Sequence, residues 1–204
     1  MRSRRTPRLM PEIGARLARQ LAASPSNTFT WILAVAREPI WSSASHREPD
    51  TLFIGMDQEP ICIAYAAQKI CEQGLSNALV LPRGAASLPQ LFAAGELDAI
   101  TINFPTPQPK AKYAKKRLVH VDHLMLYRPL FSAGATVTLR TDSKPLRDYA
   151  LGQFAAAGYD TLWVSDDVRR DHPEHPETEY ERRTREMGAA VYWHLRHTWS
   201  AAQR

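Results

Sequence analysis

The chain has 204 residues, of which 44% are hydrophobic and 23% charged, and its formal net charge is +5. This length suits one well-filled core, and this composition excludes a disordered or fibrous chain. No apolar run approaches the roughly 20 residues that a membrane-spanning helix requires, so no membrane partner is expected. Two cysteines make no disulfide framework, and a reducing compartment, the cytoplasm, is therefore expected.

The predicted elements follow from the periodicity of apolar residues and from Pro and Gly at their ends. Residues 1–10 are predicted to be a basic flexible arm, and residues 11–204 a single domain. In chain order, the elements are a helix at 11–23, strands at 29–36 and 51–56, a helix at 60–73 closed by Gly74, a strand at 77–82, a helix at 87–94, a strand at 97–104, a helix at 121–131, a strand at 135–140, a helix at 144–157, a strand at 161–164, a helix at 179–187 and a strand at 190–195.

Strands that alternate with helices in this way predict βαβ units, hence an α/β fold with a mostly parallel sheet flanked by helices. In such sheets, ligands bind at the carboxyl ends of the strands. The residues that follow Met56, Pro82, Phe104 and Arg140 are therefore expected on one rim.

The basic residues are concentrated in two places. Four of the first eight residues are Arg, and five of the eight from Lys110 to Arg117 are Lys or Arg. One such cluster is usually a solvated face, but two favour an anionic partner such as nucleic acid. The second follows three prolines, Pro105, Pro107 and Pro109, which predict a stiff loop on the rim. A rigid loop beside phosphate-binding side chains is typical of a nucleic-acid-modifying site, and Tyr113 within it is a candidate for stacking on a base.

The segment from Asn103 to Leu118 resembles the tRNA (guanine-N7)-methyltransferase family, whose pattern here is N-F-P-D-P-W-x-K-x-x-H-x-K-R-R-[LI]. Two further motifs of that family follow in the same order, as Thr141-Asp142 and as Thr178-Glu-Tyr-Glu181. The matching positions in the first segment are Asn103, Phe104, Pro105, Pro107, Lys110, Lys115, Arg117 and Leu118. The chain is identified as a member of the family over residues 49–196.

This resemblance implies a Rossmann-like class I methyltransferase fold that uses S-adenosylmethionine (SAM) to methylate N7 of guanine in tRNA. It also implies the roles of individual residues. Asp57 would hold the ribose of SAM, and Thr106 stands where the family has a catalytic Asp. Asp142 would act in catalysis and, with Thr178 and Glu181, hold the guanine. The tRNA would be bound by Lys110, Lys115, Lys116 and Arg117.

The sequence departs from the family pattern mainly at the donor side. The family's E-I-G-x-G-x-G falls on residues 32–38, which puts Ala34 and Ala36 at glycine positions. An Ala at positive φ costs about 1–2 kcal/mol, and its methyl group intrudes on the ligand. Gly84 replaces an Asp beside the adenine of SAM.

At the acceptor side, guanine N7 carries no proton, so the reaction needs positioning and charge stabilisation. Loss of one electrostatic partner, the Asp that Thr106 replaces, costs roughly 10²–10³ in rate.

Three functions stay open at this point. The chain is a tRNA methyltransferase, or a non-catalytic tRNA-binding or RNA-binding paralogue without SAM, or a biosynthetic enzyme of the same fold acting on a small molecule. The five charges of the basic segment argue against a small neutral acceptor. A homo- or hetero-oligomer is also open. His172 and His175 could be read as metal ligands, but acidic residues lie nearby and no Cys accompanies them, so a solvated loop without metal is expected.

Overall fold

The computed structural model describes residues 30–32, 47–175, 177–188 and 193–198. The strands are β1 (Thr30–Ile32), β2 (Phe53–Met56), β3 (Ala78–Leu81), β4 (Leu97–Asn103), β5 (Phe131–Thr141), β6 (Asp160–Ser165) and β7 (Trp193–Thr198). The helices are α1 (Pro60–Gln73), α2 (Leu88–Leu91), α3 (Val121–Tyr127), α4 (Lys144–Ala156), α5 (Val168–Asp171) and α6 (Glu179–Glu186), with 3₁₀-helices at Ala85–Ser87, Ala111–Lys116 and Arg128–Leu130.

These strands form one seven-stranded sheet in the order β3-β2-β1-β4-β5-β7-β6. The first five strands in that order pair in parallel, and β7 pairs antiparallel with both of its neighbours. The predicted α/β fold with a mostly parallel sheet is thus confirmed. The predicted arm 1–10 and helix 11–23 lie outside the described residues, as do Ala34 and Ala36.

The core lies between the central strands and the helices that cover them. Leu97, Ile100 and Ile102 of β4 are at most 1% exposed, as are Leu124 of α3 and Phe154 of α4. Burial of such side chains contributes on the order of 1.5–3 kcal/mol each to folding. This packing fixes the ends of β4 and β5, and those ends carry the residues of interest.

Two tyrosines tie the core to the loops above it. The hydroxyl of Tyr127 donates to the carbonyl of Leu118 at 3.2 Å, and that of Tyr159 donates to the carbonyl of Leu124 at 2.9 Å. Burial raises the pKa of both phenols well above the ordinary value, so both stay protonated donors. The first bond anchors the end of the basic segment to α3.

The element boundaries differ from the predicted ones at several points: β7 ends at Thr198 and not at residue 195, α2 ends at Leu91 and not at residue 94, and the largest differences lie between α3 and β5. The helix expected over 121–131 ends at Tyr127, because Pro129 lacks an N–H and its ring is incompatible with a continuing helix. After one 3₁₀ turn, β5 begins at Phe131, four residues before the expected start. The short helix α5 was not expected. It begins after Asp167, whose carboxylate accepts from the N–H of Arg170 at 3.2 Å.

The predicted helix at 60–73 is confirmed at both ends. Pro60 lies in its first turn, and Gly74 follows its last residue with φ of +62°, the left-handed conformation that glycine adopts without strain. Among the helices of the described ranges, none has the length and apolar character needed to cross a membrane.

Candidate functional site

A cavity of about 250 Å³ opens at the carboxyl ends of β2, β3 and β4. Its lining comes from the residues that follow those strands, as expected for a ligand site in a parallel sheet. Four groups of chain segments contribute: Met56, Asp57 and Gln58; Arg83, Gly84, Ala85 and Ala86; Pro105, Thr106 and Gln108; and Lys116, Leu118 and His123. The expected rim is thus confirmed for β2, β3 and β4.

Asp57 is one of the residues that line this cavity. The residue is 7% exposed, and its Oδ1 accepts a hydrogen bond from the N–H of Glu59 at 2.9 Å, at the start of α1. Its Oδ2 is buried and has no hydrogen-bond partner among the residues that the structure describes. A buried carboxylate oxygen left without a donor costs free energy. The arrangement therefore suits a ligand that supplies hydroxyl donors.

Gly84, which follows β3, lines the cavity without a side chain of its own. Its backbone is extended, with φ of −89°, so the glycine is needed for space and not for an unusual backbone conformation. A Cβ atom at this position would lie 2.5 Å from Nε2 of Gln58. The Gln58 side chain thus lies against Gly84, and any side chain at residue 84 must displace it.

The proline loop after β4 holds two non-glycine residues at positive φ, Phe104 at +43° and Gln108 at +49°. Such conformations are rare and cost roughly 1–3 kcal/mol each, so the surroundings must impose them. The N–H of Phe104 donates to the carbonyl of Arg140 at 2.8 Å, and its ring lies 4.5 Å from that of Tyr180. The carbonyl of Gln108 accepts from Nε and Nη2 of Arg117 at 3.2 and 3.0 Å.

Arg117 therefore has a structural role that the sequence did not reveal. Besides Gln108, its Nη2 contacts the carbonyl of Pro109 at 3.4 Å, and its guanidinium stacks on the ring of Tyr149 at 4.2 Å. A planar fork of donors suits this task, and a lysine could not perform it. The predicted contact of Arg117 with tRNA stays a prediction.

The lysines of the segment differ from Arg117, because their ammonium groups face solvent. Lys110, Lys112, Lys115 and Lys116 are exposed. The ammonium groups of Lys112 and Lys116 lie 5.1 and 4.8 Å from the ring centroid of Tyr113, and Lys115 lies 3.7 Å from the exposed carboxylate of Asp122. Exposed ion pairs are weak, so these charges remain available to an anionic partner. Lys116 also lines the cavity.

Thr106 and His123 occupy the cavity wall where the loop faces α3. Thr106 is exposed and brings an uncharged hydroxyl. Burial lowers the pKa of His123 below its ordinary value, so this imidazole is neutral at pH 7. Sequence reasoning missed His123, since no motif marked it. Only its position one helical turn before the core residue Tyr127 could have suggested an inward direction.

Thr178 and Glu181 are buried, with 4% and 3% exposure, and they form reciprocal hydrogen bonds at the start of α6. The N–H of Thr178 donates to Oε2 of Glu181 at 2.6 Å, and the N–H of Glu181 donates to Oγ1 of Thr178 at 2.9 Å, which is a capping box. Arg140 contacts the same carboxylate at 3.4 Å. Burial lowers the pKa of the Arg140 guanidinium, and Glu181 opposes this effect. Thr178 and Glu181 thus both stabilise the start of α6, and their contact with guanine stays a prediction.

Asp142 lies apart from the cavity lining and close to this helix. It is exposed, and its Oδ2 accepts from the hydroxyl of Tyr180 at 2.8 Å. Tyr180 in turn packs on Phe104. The structure therefore joins the three sequence motifs into one neighbourhood, through Phe104, Tyr180 and Asp142, at the ends of β4 and β5.

Solved structures with the same architecture define the class. The 16S rRNA methyltransferase KamB matches with a TM-score of 0.66 at 16% identity, over 89% of this chain and 92% of its own. The 16S rRNA (adenine(1408)-N(1))-methyltransferase of Catenulisporales acidiphilia, with its cosubstrate SAM, matches at 0.64 and 15% identity, over 100% and 97%. The fold is that of the class I SAM-dependent methyltransferases.

The family follows from sequence comparison. A family model described as "Putative methyltransferase" matches residues 36–194. The tRNA (guanine-N(7)-)-methyltransferase of Geobacillus thermodenitrificans is 34% identical over 71% of this chain and 67% of its own length. That of Streptococcus thermophilus is 30% identical over 72% and 70%. The chain belongs to the tRNA (guanine-N7)-methyltransferase family.

Proposed function

We propose that this protein transfers the methyl group of SAM to N7 of guanine in tRNA. The observation that carries the proposal is the cavity at the ends of β2, β3 and β4. One wall holds Asp57 and Gly84, the opposite wall holds Thr106, and Lys116 joins this space to the basic segment. A donor site, an acceptor site and a phosphate-binding surface thus meet in one place.

The residues of the first wall fit SAM. Oδ2 of Asp57 is a buried acceptor without a donor in the described part of the chain, and two adjacent ribose hydroxyls supply such donors. Gly84 carries no side chain, and the neighbouring Gln58 side chain is flexible and could move aside for a flat ring. When bound, SAM supplies an electrophilic methyl group on its sulfonium. The predicted donor contacts of Ala34 and Ala36 lie outside the described residues and stay predictions.

Asp57→Asn tests this assignment of the first wall. The amide keeps one oxygen for the N–H of Glu59 but replaces the other carboxylate oxygen by a donor. A hydrogen bond to a charged group is worth about 1.5–3 kcal/mol, so we expect SAM affinity to fall by about 10- to 100-fold in calorimetry. Asp160→Asn, the same change at an exposed position on β6, should leave affinity unchanged. Equal affinity in all three proteins would contradict the role of Asp57.

The second wall orients the guanine without accepting a proton. N7 carries a lone pair and no hydrogen, so the protein must align it and tolerate the positive charge that forms on the purine. Thr106 and the neutral His123 offer only uncharged acceptors to that charge, and the Lys116 ammonium opposes it. Slow turnover is therefore expected, compared with a family member that has Asp at this position.

The proposal is tested by two measurements on the purified protein. Calorimetry with SAM, up to millimolar donor, measures binding, and nucleoside mass spectrometry of unmodified tRNA incubated with protein and SAM detects N7-methylguanosine. Binding followed by methyl incorporation is the expected result. Absence of SAM binding, with retained tRNA binding, would instead assign the protein to the non-catalytic RNA-binding alternative.

Removing one exposed lysine of the basic segment should weaken tRNA binding in a salt-dependent way. A phosphate contact contributes about 0.7–0.9 to the slope of log affinity against log salt. We expect Lys115→Gln to lower that slope by about one contact, measured by filter binding at several salt concentrations. Lys69→Gln, on α1 and paired with Glu72, is the matched control. An unchanged slope for Lys115→Gln would place the tRNA elsewhere.

Two wider expectations remain predictions. A tRNA substrate is in keeping with the cytoplasm, the compartment expected from the cysteine content. The oligomeric state, homo- or hetero-oligomer, is untested.

A further inference from the structure

The loop between α5 and α6 brings together two imidazoles and a carboxylate. One ligand atom from each of His172, Glu174 and His175 lies within 4.8 Å of the other two. Nδ1 of His172 is 3.3 Å from Oε1 of Glu174, and Nε2 of His175 is 3.9 Å from the same oxygen. Neither the methyl-transfer site nor the basic segment uses this cluster.

The two imidazoles are held in place by groups outside the cluster. The ring of His172 stacks on Trp163 of β6 with a centroid distance of 4.1 Å and an interplanar angle of 28°. The ring of His175 lies 5.3 Å from the same indole. The N–H of His175 donates to the carbonyl of His172 at 3.1 Å, and the guanidinium of Arg169 donates to the carbonyl of His175. These contacts hold residues 172–175 in place without a bound ligand.

This donor set has the chemistry and nearly the spacing of a zinc site. Zinc binds His nitrogen and carboxylate oxygen at about 2.0–2.2 Å, so the donors of a tetrahedral site lie roughly 3.3 Å apart. The His172–Glu174 separation already has this value, and the remaining donors need to move by about 1.5 Å or less.

We propose that His172, Glu174 and His175 bind one divalent transition-metal cation, best suited to Zn²⁺, with water completing the coordination. The expectation of a solvated loop came from the nearby acids and from the absence of a Cys ligand. The structure changes the argument because one of those acids, Glu174, has a carboxylate oxygen 3.3 and 3.9 Å from the two imidazoles and so adds a third donor. Three protein ligands on one exposed face leave a fourth position open, and two imidazoles with a carboxylate favour zinc over Mg²⁺ or Ca²⁺.

Binding of the cation would stabilise the segment that leads into α6. Thr178, the first residue of the capping box, follows His175 by three positions, and Tyr180 follows by five. A ligand that binds only the folded loop raises stability by an amount that grows with the logarithm of its free concentration relative to its dissociation constant. The site is therefore structural, and its occupancy is measurable apart from methyl transfer.

The test uses the untagged full chain after treatment with a chelator. Calorimetry with Zn²⁺ should give one site per chain, and Zn²⁺ should raise the melting temperature. Glu174→Gln keeps the exposed loop folded but removes the charged ligand, and it should weaken affinity at least about tenfold, since loss of even an outer-shell partner costs 10- to 100-fold. His175→Gln should have a similar or larger effect, with its fold checked by circular dichroism.

His120→Asn is the matched control, because His120 has a carboxylate neighbour, Asp122, at 3.5 Å but belongs to no group of three metal-ligating side chains in the described residues. The asparagine can still accept from the N–H of Asp122 at the start of α3. Zinc affinity should be unchanged in this variant. No saturable single site, or a site that survives both Glu174→Gln and His175→Gln, would overturn the proposal.

Discussion

Thr106→Asp should raise the rate of methyl transfer by roughly 10²–10³, the range associated with one well-placed electrostatic partner. A carboxylate at this wall of the cavity would face the purine as its positive charge forms. The neighbouring Lys116 and Arg83 also line the cavity and would keep that carboxylate charged. Single-turnover incorporation of methyl into unmodified tRNA, at saturating SAM, measures the effect on the chemical step.

Thr106→Asn separates charge from shape in this experiment. Asparagine matches the size of aspartate but carries no charge, so its rate should stay near that of the native protein. If Thr106→Asp and Thr106→Asn gave the same rate, residue 106 would not face the reacting purine. Both variants should keep the native stability, because Thr106 is exposed.

Glu181→Gln should destabilise the fold by about 3–5 kcal/mol, because removal of one partner from a buried ion pair leaves the other charge uncompensated. Arg140 and Glu181 have side chains that are 5% and 3% exposed. The same change also weakens the capping box, since Oε2 of Glu181 accepts from the N–H of Thr178. Chemical unfolding followed by circular dichroism gives the free energy of unfolding.

Two further variants show whether the loss of stability in Glu181→Gln comes from the buried charge. Glu186→Gln removes an equal charge from the exposed end of the same helix and should change stability by less than about 0.5 kcal/mol. The double variant Arg140→Met with Glu181→Leu should recover part of the loss, because apolar replacements need no charge compensation. A Glu181→Gln protein as stable as the native one would show that the Arg140 guanidinium is solvated.

The sequence predicted the sheet and its rim well, because both depend on local periodicity and on the handedness of βαβ units. Asp57, Gly84, Thr106 and Lys116 were separate positions in the sequence, and the structure brings all four to one cavity. Their convergence was predictable, since parallel strands end on one side of a sheet.

The partners of individual side chains were not predictable in the same way. Arg117 is one of five basic residues among the eight from Lys110 to Arg117, and nothing local distinguishes it from Lys115 or Lys116. Its partners are carbonyls eight and nine residues earlier and the ring of Tyr149. Such contacts depend on how the proline loop folds back, and loop conformation is not encoded in hydrophobic periodicity.

Thr178 and Glu181 illustrate two meanings of one pattern. Thr-x-x-Glu before a helix is the signature of a capping box, and it is also part of the family motif. The family resemblance directed attention to the guanine, whereas the backbone hydrogen bonds satisfy the helix start. The capping function of this pattern is thus visible in the sequence itself.

The contact between Gly84 and Gln58 has a consequence for how this site could change over generations. The Gln58 side chain fills the volume that any side chain at residue 84 would need, with only 2.5 Å between Nε2 and a hypothetical Cβ. An acidic residue at 84, as in relatives of the family pattern, is thus accommodated only after Gln58 shortens or turns away. We therefore expect the effects of substitutions at 58 and 84 to be coupled and not additive.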